Sequence, residues 1–272
     1  MNNRKRQFPY LQALIFTALL CLSGSFVRAQ QPFVTDDADV TPRRKFHFEF
    51  SNEFDILQRS AFPSRNQNTA EFELDYGLFE NVEIGFIAPL ITIINDRNAD
   101  LRRPTGIGDV SLALKYNFLK EKEGSRRPAL AVALSFEIPT GDKGRQLGSG
   151  LADFYVNGVV QKSVTKKTTL RLNGGILFSG NESSGALGVR ARGTVFTAGG
   201  SVVRQFTERL DLGFELVGAV ARNTDLGKGR LQFMAGGNYS LTSKMTFDFG
   251  VIGGRYVGSP RAGVQVGLSV DF

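Results

Sequence analysis

An all-β chain closing into an antiparallel transmembrane barrel of about twelve strands is the fold class predicted here. Three observations predict it. Apolar side chains recur at every second position through most of the chain. Connectors alternate between short turns and long loops. An export leader precedes all of this, and no later segment approaches the roughly 18 to 20 uninterrupted apolar residues of a membrane helix.

The leader occupies residues 1–29. It has a basic start (Arg4, Lys5, Arg6), an apolar run from Leu11 to about Phe26, and a small-residue cleavage site at Val27-Arg28-Ala29. Cys21, the single cysteine, falls inside it, so the mature chain carries no disulfide and no thiolate metal site. Removing Arg4, Lys5, Arg6 and Arg28 from the formal +7 leaves about +3. That residual charge is too small to be the footprint of a nucleic-acid binder. Residues 30–43 then form a periplasmic N-terminal segment, and residues 44–272 the barrel.

The alternating segments follow in order. Phe46, Phe48, Phe50, Phe54 and Ile56 oppose Lys45, His47, Glu49, Ser51, Glu53 and Asp55, two faces of one strand. Phe72, Leu74, Tyr76 and Leu78 oppose Glu71, Glu73, Asp75 and Gly77. Val82, Ile84, Phe86, Ala88 and Leu90 come next, after the tight turn Glu80-Asn81. Segments four and five carry Leu112, Leu114 and Tyr116, then Val132, Leu134 and Phe136. The sixth (Phe154, Val156, Val160) and eighth (Phe196, Val202, Phe206) are broken by glycine and charge, so ten or fourteen strands are the alternatives to twelve. Between them the seventh holds Leu170, Leu172, Ile176 and Phe178. Leu210 to Val220, Leu231 to Tyr239 and Met245 to Val251 supply the ninth to eleventh.

The twelfth is VQVGLSVDF. Val264, Val266, Leu268, Val270 and Phe272 alternate to the last residue, as a strand that must close a sheet requires. It also resembles the C-terminal signal read by the outer-membrane barrel assembly machinery. Short connectors (EN, KEKEGSRR, TKKT, TE, TSK) follow the even-numbered segments. Longer stretches such as QRSAFPSRNQN, NDRNADLRRPTG, TGDKGRQLGSG and SGNESSGALGVR follow odd ones. An even strand count returns both termini to the periplasm. A soluble sandwich would need a second sheet over every greasy face, whereas a closed barrel has lipid outside and water within.

Two stretches, TGIGDVSLALKYNFL (residues 105–119) and SFEIPTGDKGRQLGSG (residues 135–150), resemble the outer-membrane transporters associated with meta-pathway phenol degradation. The TGxGD turn, the Pro-Thr-Gly-Asp turn, the Gly-Ser-Gly and an early Thr35-Asp36-Asp37 carry the likeness. The resemblance implies a barrel admitting small hydrophobic or aromatic compounds. Physically these motifs are turn chemistry, since strands follow where a nucleotide loop would need a helix.

Catalysis is not expected. The mature chain has one histidine, His47; Ser51 lies on the same strand face, roughly 13 Å away at strand rise. Neither a cofactor nor a metal is called for by any spacing. The inward face is instead predicted to line a pore: Lys45, His47, Glu49, Glu53, Glu71, Glu73, Glu83, Lys115, Arg171, Asn173, Gln232 and Asn238. Lys45, Lys115 and Arg171 serve as counter-charges. Opposite this acid wall stands a small-residue wall (Ala129, Ala131, Gly199, Gly213, Gly236, Gly250, Gly267) expected to leave room for a solute. Such a lumen prefers cations or neutral solutes. Arg97, Arg102, Arg103, Lys143 and Arg145 on the long loops are placed to meet lipopolysaccharide phosphates. A passive outer-membrane channel is the leading reading; a filled structural barrel, or an outer-membrane enzyme, are the alternatives.

Overall fold

In the computed structural model residues 32–122, 124–222 and 229–272 are described; the leader expected at residues 1–29 lies outside them. The strands are β1 (Phe46–Ile56), β2 (Ser64–Phe79), β3 (Val82–Asn95), β4 (Thr105–Ile107), β5 (Val110–Leu119), β6 (Ala129–Ile138), β7 (Asp153–Thr165), β8 (Thr168–Ser184), β9 (Leu187–Gln205), β10 (Leu210–Ala221), β11 (Arg230–Ser240), β12 (Met245–Arg255) and β13 (Ala262–Asp271). β4 is a three-residue strip against β3. The other twelve pair antiparallel with their neighbours, and β13 returns to β1, so the sheet is a closed twelve-stranded barrel without free edges. The two segments weakened by glycine and charge are β7 and β9, both full members of the wall.

The seam shows why the last residue stays ordered. β1 and β13 pair from His47↔Asp271 to Ile56↔Ala262. Phe46 and Phe272 exchange both backbone hydrogen bonds, at 2.8 and 3.0 Å, and their rings stack 5.6 Å apart.

Period-two patterning resolves into two faces as the sequence predicts. Phe72, Phe86, Leu112, Phe136, Phe154, Phe178, Phe214, Phe233 and Val264 are all exposed on the outside of the wall. Inward neighbours such as Glu49, Asp75, Lys115, Asn157, Ser201, Glu215, Gln232 and Gln265 are buried. An apolar belt of this extent is stable only against lipid.

Two expectations about loops are corrected. SGNESSGALGVR is not a loose connector: β8 continues to Ser184 and β9 begins at Leu187, leaving a tight turn at residues 185–186. QRSAFPSRNQN is likewise half strand, because β2 already begins at Ser64. Both stretches read as polar and Gly- or Ser-rich. Their ladders form because each strand pairs with its own hairpin partner beyond the apolar belt, where no greasy face is needed.

Candidate functional site

The barrel has a turn end, which also holds Phe272, and a loop end. Residues 32–41 enter from the turn end and lie inside the lumen. The sequence assigns this stretch only as a periplasmic lead, but its side chains are interior ones: Phe33, Thr35, Asp37 and Ala38 are buried. The small-residue wall explains why it fits. A Cβ on Gly213 would sit 2.7 Å from the Phe33 ring, and one on Gly236 3.0 Å from Pro32. Ala38 packs against Ala129, Ala131 and Val159, while Phe33 packs with Met234 and Ile252. The room expected for a solute along that wall is therefore filled by the chain itself.

A polar lattice holds the segment. Lys115, directly across the ladder from Glu83, places its Nζ 2.9 Å from Asp36, 3.4 Å from Glu83 and 3.9 Å from Asp37. It also donates to the Asp39 carbonyl at 3.3 Å. Arg171 reaches Asp37 at 3.4 Å. Burial pushes the Asp37 carboxyl up to about 6, against the pull of Arg171 and Lys115. Backbone amides are met too: Val34 and Thr35 donate to Glu215, and Thr41 donates to Glu83. Asn173 donates to the Asp36 carbonyl at 3.2 Å, Asn117 to that of Ala38. Early Thr35-Asp36-Asp37, met in the sequence as a family likeness, is the plug's anchoring motif.

The loop end is covered from the opposite side. The β8–β9 hairpin reaches across the mouth to β2, where buried Gln67 clamps its turn. Gln67 donates through Nε2 to the Ser184 carbonyl at 2.7 Å and accepts from the Ala186 amide, also at 2.7 Å. Ala186 packs on Ile91, Ile93 and Leu147. Replacing Gln67 by Leu removes both bonds while keeping the bulk, a loss of about 1 kcal/mol each. The Ala186 amide is expected to exchange its hydrogen roughly tenfold faster or more in Gln67→Leu, measured by hydrogen exchange with mass spectrometry; unchanged exchange would show the clamp is not holding.

Leu147 arrives there through one buried carboxylate. Asp109 of the TGIGD turn accepts from the Gly141 amide at 2.9 Å and the Ser149 amide at 2.6 Å. Thr140 donates to the Gly108 carbonyl at 2.8 Å. Three motifs separated in sequence thus form one knot, which folds the β6–β7 loop inward over β3.

Between plug and cover remains a cavity of about 530 Å³. Glu49, Glu53, Asp55, Glu71 and Glu73 form one wall; Phe33, Leu177, Val217 and Leu187 supply apolar surface. Of the predicted pore-lining set, Glu49, Glu53, Glu71, Glu73, Lys115, Asn173 and Gln232 line this cavity. Glu83 and Arg171 sit in the plug's lattice. Asn238 bonds Asp248 at 2.5 Å, toward the turn end. Lys45 is a correction: it lies just before β1, exposed at the rim, so of the three expected counter-charges Lys115 and Arg171 are interior. His47 faces inward and is buried, with Nδ1 2.5 Å from Asp271 and Nε2 2.8 Å from Glu49. Arg97, Arg102, Arg103, Lys143 and Arg145 are exposed on loops.

Sequence reasoning missed Gln67, Asp109 and Glu215 as working residues. Glu215 carries a signal, an acid at an inward position with no base near it in sequence. Gln67 carries none, because its partner is 119 positions away.

The family model described as "Putative MetA-pathway of phenol degradation" matches residues 68–272. The chain belongs to this family. Among solved structures, the COG4313 outer membrane channel from Pseudomonas putida F1 is similar at 15% identity, covering 89% of this chain and 100% of that one with a TM-score of 0.69. The NanC porin is similar at 10% identity, 82% and 98% coverage and a TM-score of 0.56. The KdgM porin follows at 11%, 83% and 99%, with a TM-score of 0.53. No protein with a curated description matches the chain. At these identities the likeness concerns the fold, a barrel shared with outer-membrane channels. The resemblance carried by the TGxGD and Pro-Thr-Gly-Asp turns is thereby met, and the knot around Asp109 gives those turns a structural purpose.

Proposed function

We propose that this member of the phenol-degradation family is an outer-membrane channel that admits small hydrophobic or aromatic solutes through its central cavity. The observation that carries the reading is the cavity itself. A structural barrel fills its interior with side chains, whereas this one keeps about 530 Å³ between two separately docked covers. That volume lies in the range of pockets for single small molecules. Family membership and the apolar part of the lining support an aromatic or apolar solute, and the similar solved structures named as channels support passage.

Both termini face the periplasm in this reading, and the long loops face outward. Arg97, Arg102 and Arg103 then meet lipopolysaccharide phosphates, and Val264 to Phe272 serve as the assembly signal as well as the seam. The His47 ring, with both nitrogens against carboxylates, acts as a strut between β1 and β13 rather than as a general base.

Liposome swelling with a panel of phenols, sugars and nucleosides tests the proposal. Swelling with phenols ahead of sugars of like size is the expected result. Liposomes that swell with none of the panel, although the protein is folded by heat-modifiable gel mobility, would overturn it.

A further inference from the structure

The cavity's charge is lopsided. Eight carboxylates line it (Asp36, Glu49, Glu53, Asp55, Glu71, Glu73, Glu137 and Asp153) against Lys115 and Arg230. Lys115 is engaged with Asp36, and Glu49 with His47. The ladder compounds the imbalance by setting Glu49 directly opposite Glu73, an arrangement that costs stability. The charged neighbours of Glu71 include Glu53, Glu49 and Glu73, all acids. Asp55 is wholly buried, and the side chain that shares a hydrogen bond with it is another acid, Glu53. Its charged surroundings are Glu53 and Arg230. Buried charge of one sign calls for a partner.

Among the described residues, no three acidic or histidine side chains converge as metal ligands would. The carboxylates are instead spread along β1 and β2, facing apolar surface from Phe33, Leu177 and Val217. The complement to such a site is a cation with a greasy body. An ammonium offers three donors on one small centre.

We propose that the cavity is a binding site for a small arylalkyl ammonium ion, its nitrogen against Glu53 and Glu71 and its ring against Phe33, Leu177 and Val217. This rests on the channel reading and sharpens it: the preferred aromatic solute is an amine.

Isothermal titration of the purified full-length protein in detergent, with 2-phenylethylamine, 2-phenylethanol and phenylacetate as probes, decides the matter. The amine is expected to bind about tenfold tighter than the alcohol or more, the worth of one charge-assisted hydrogen bond, and the acid weakest. Glu71→Gln is expected to weaken the amine about fivefold or more while leaving the alcohol unchanged. Equal affinity for amine and alcohol in the wild-type protein, or no amine binding, would overturn the inference. So would an amine preference that survives both Glu71→Gln and Glu53→Gln. The channel reading is separable from all of these, since it stands if phenols still swell liposomes and fails only if nothing does.

Discussion

Replacing Lys115 by methionine is expected to release the N-terminal plug and convert the turn end into an open pore. Lys115 is buried and is the common partner of Asp36, Asp37, Glu83 and the Asp39 carbonyl. Methionine keeps the length of the stem and deletes the charge, so three carboxylates lose their shared cation at once. Removing one partner of a buried ion cluster costs about 3–5 kcal/mol. That shifts the docked-to-released ratio of the segment by roughly 10² to 10⁴. The barrel itself survives, because its ladder does not depend on the plug. Planar-bilayer recording should show a several-fold larger and noisier conductance in Lys115→Met, with Lys115→Arg closer to wild type. Wild-type conductance in the methionine variant would mean that the backbone contacts of Glu215 and Asn117 suffice.

The second large effect concerns the opposite end. Asp109→Ala leaves the buried amides of Gly141 and Ser149 without acceptors, at about 1–3 kcal/mol for each. The β6–β7 loop should then lift from β3, drawing Leu147 off Ile91 and Ile93. Lys143 and Arg145, on the short 3-10 turn of that loop, become the reporters. Limited trypsin treatment is expected to cut the variant at these two positions far faster than the wild type, while the rest of the barrel stays resistant. Equal cleavage of the two proteins would show that the knot does not govern the loop.

Much of this architecture was legible from alternation alone. Phe72, Leu112, Phe214 and Val264 fall on the lipid side because strand geometry sends every second side chain the same way, and a wrong register would put Glu71 or Glu215 into oil. The same rule placed His47, Glu49, Lys115 and Gln232 inside. Period two says nothing, however, about what a residue inside the barrel will meet. Glycines at 213 and 236 read as open space, and only the folded chain shows that Phe33 and Pro32 occupy it.

Local pattern determined the twelve strands, the two faces and the closing role of Phe272, since each depends on neighbours in the ladder or on the solvent outside. The tertiary structure decided which inward charges are spent and which are left. Lys115 finds Asp36 79 positions away, measured to Asp36, and Gln67 finds Ala186 only because the wall curves round to bring β2 beneath the β8–β9 hairpin. Such pairings depend on distance through the lumen, and that distance is set by closure of the barrel, not by any spacing along the chain.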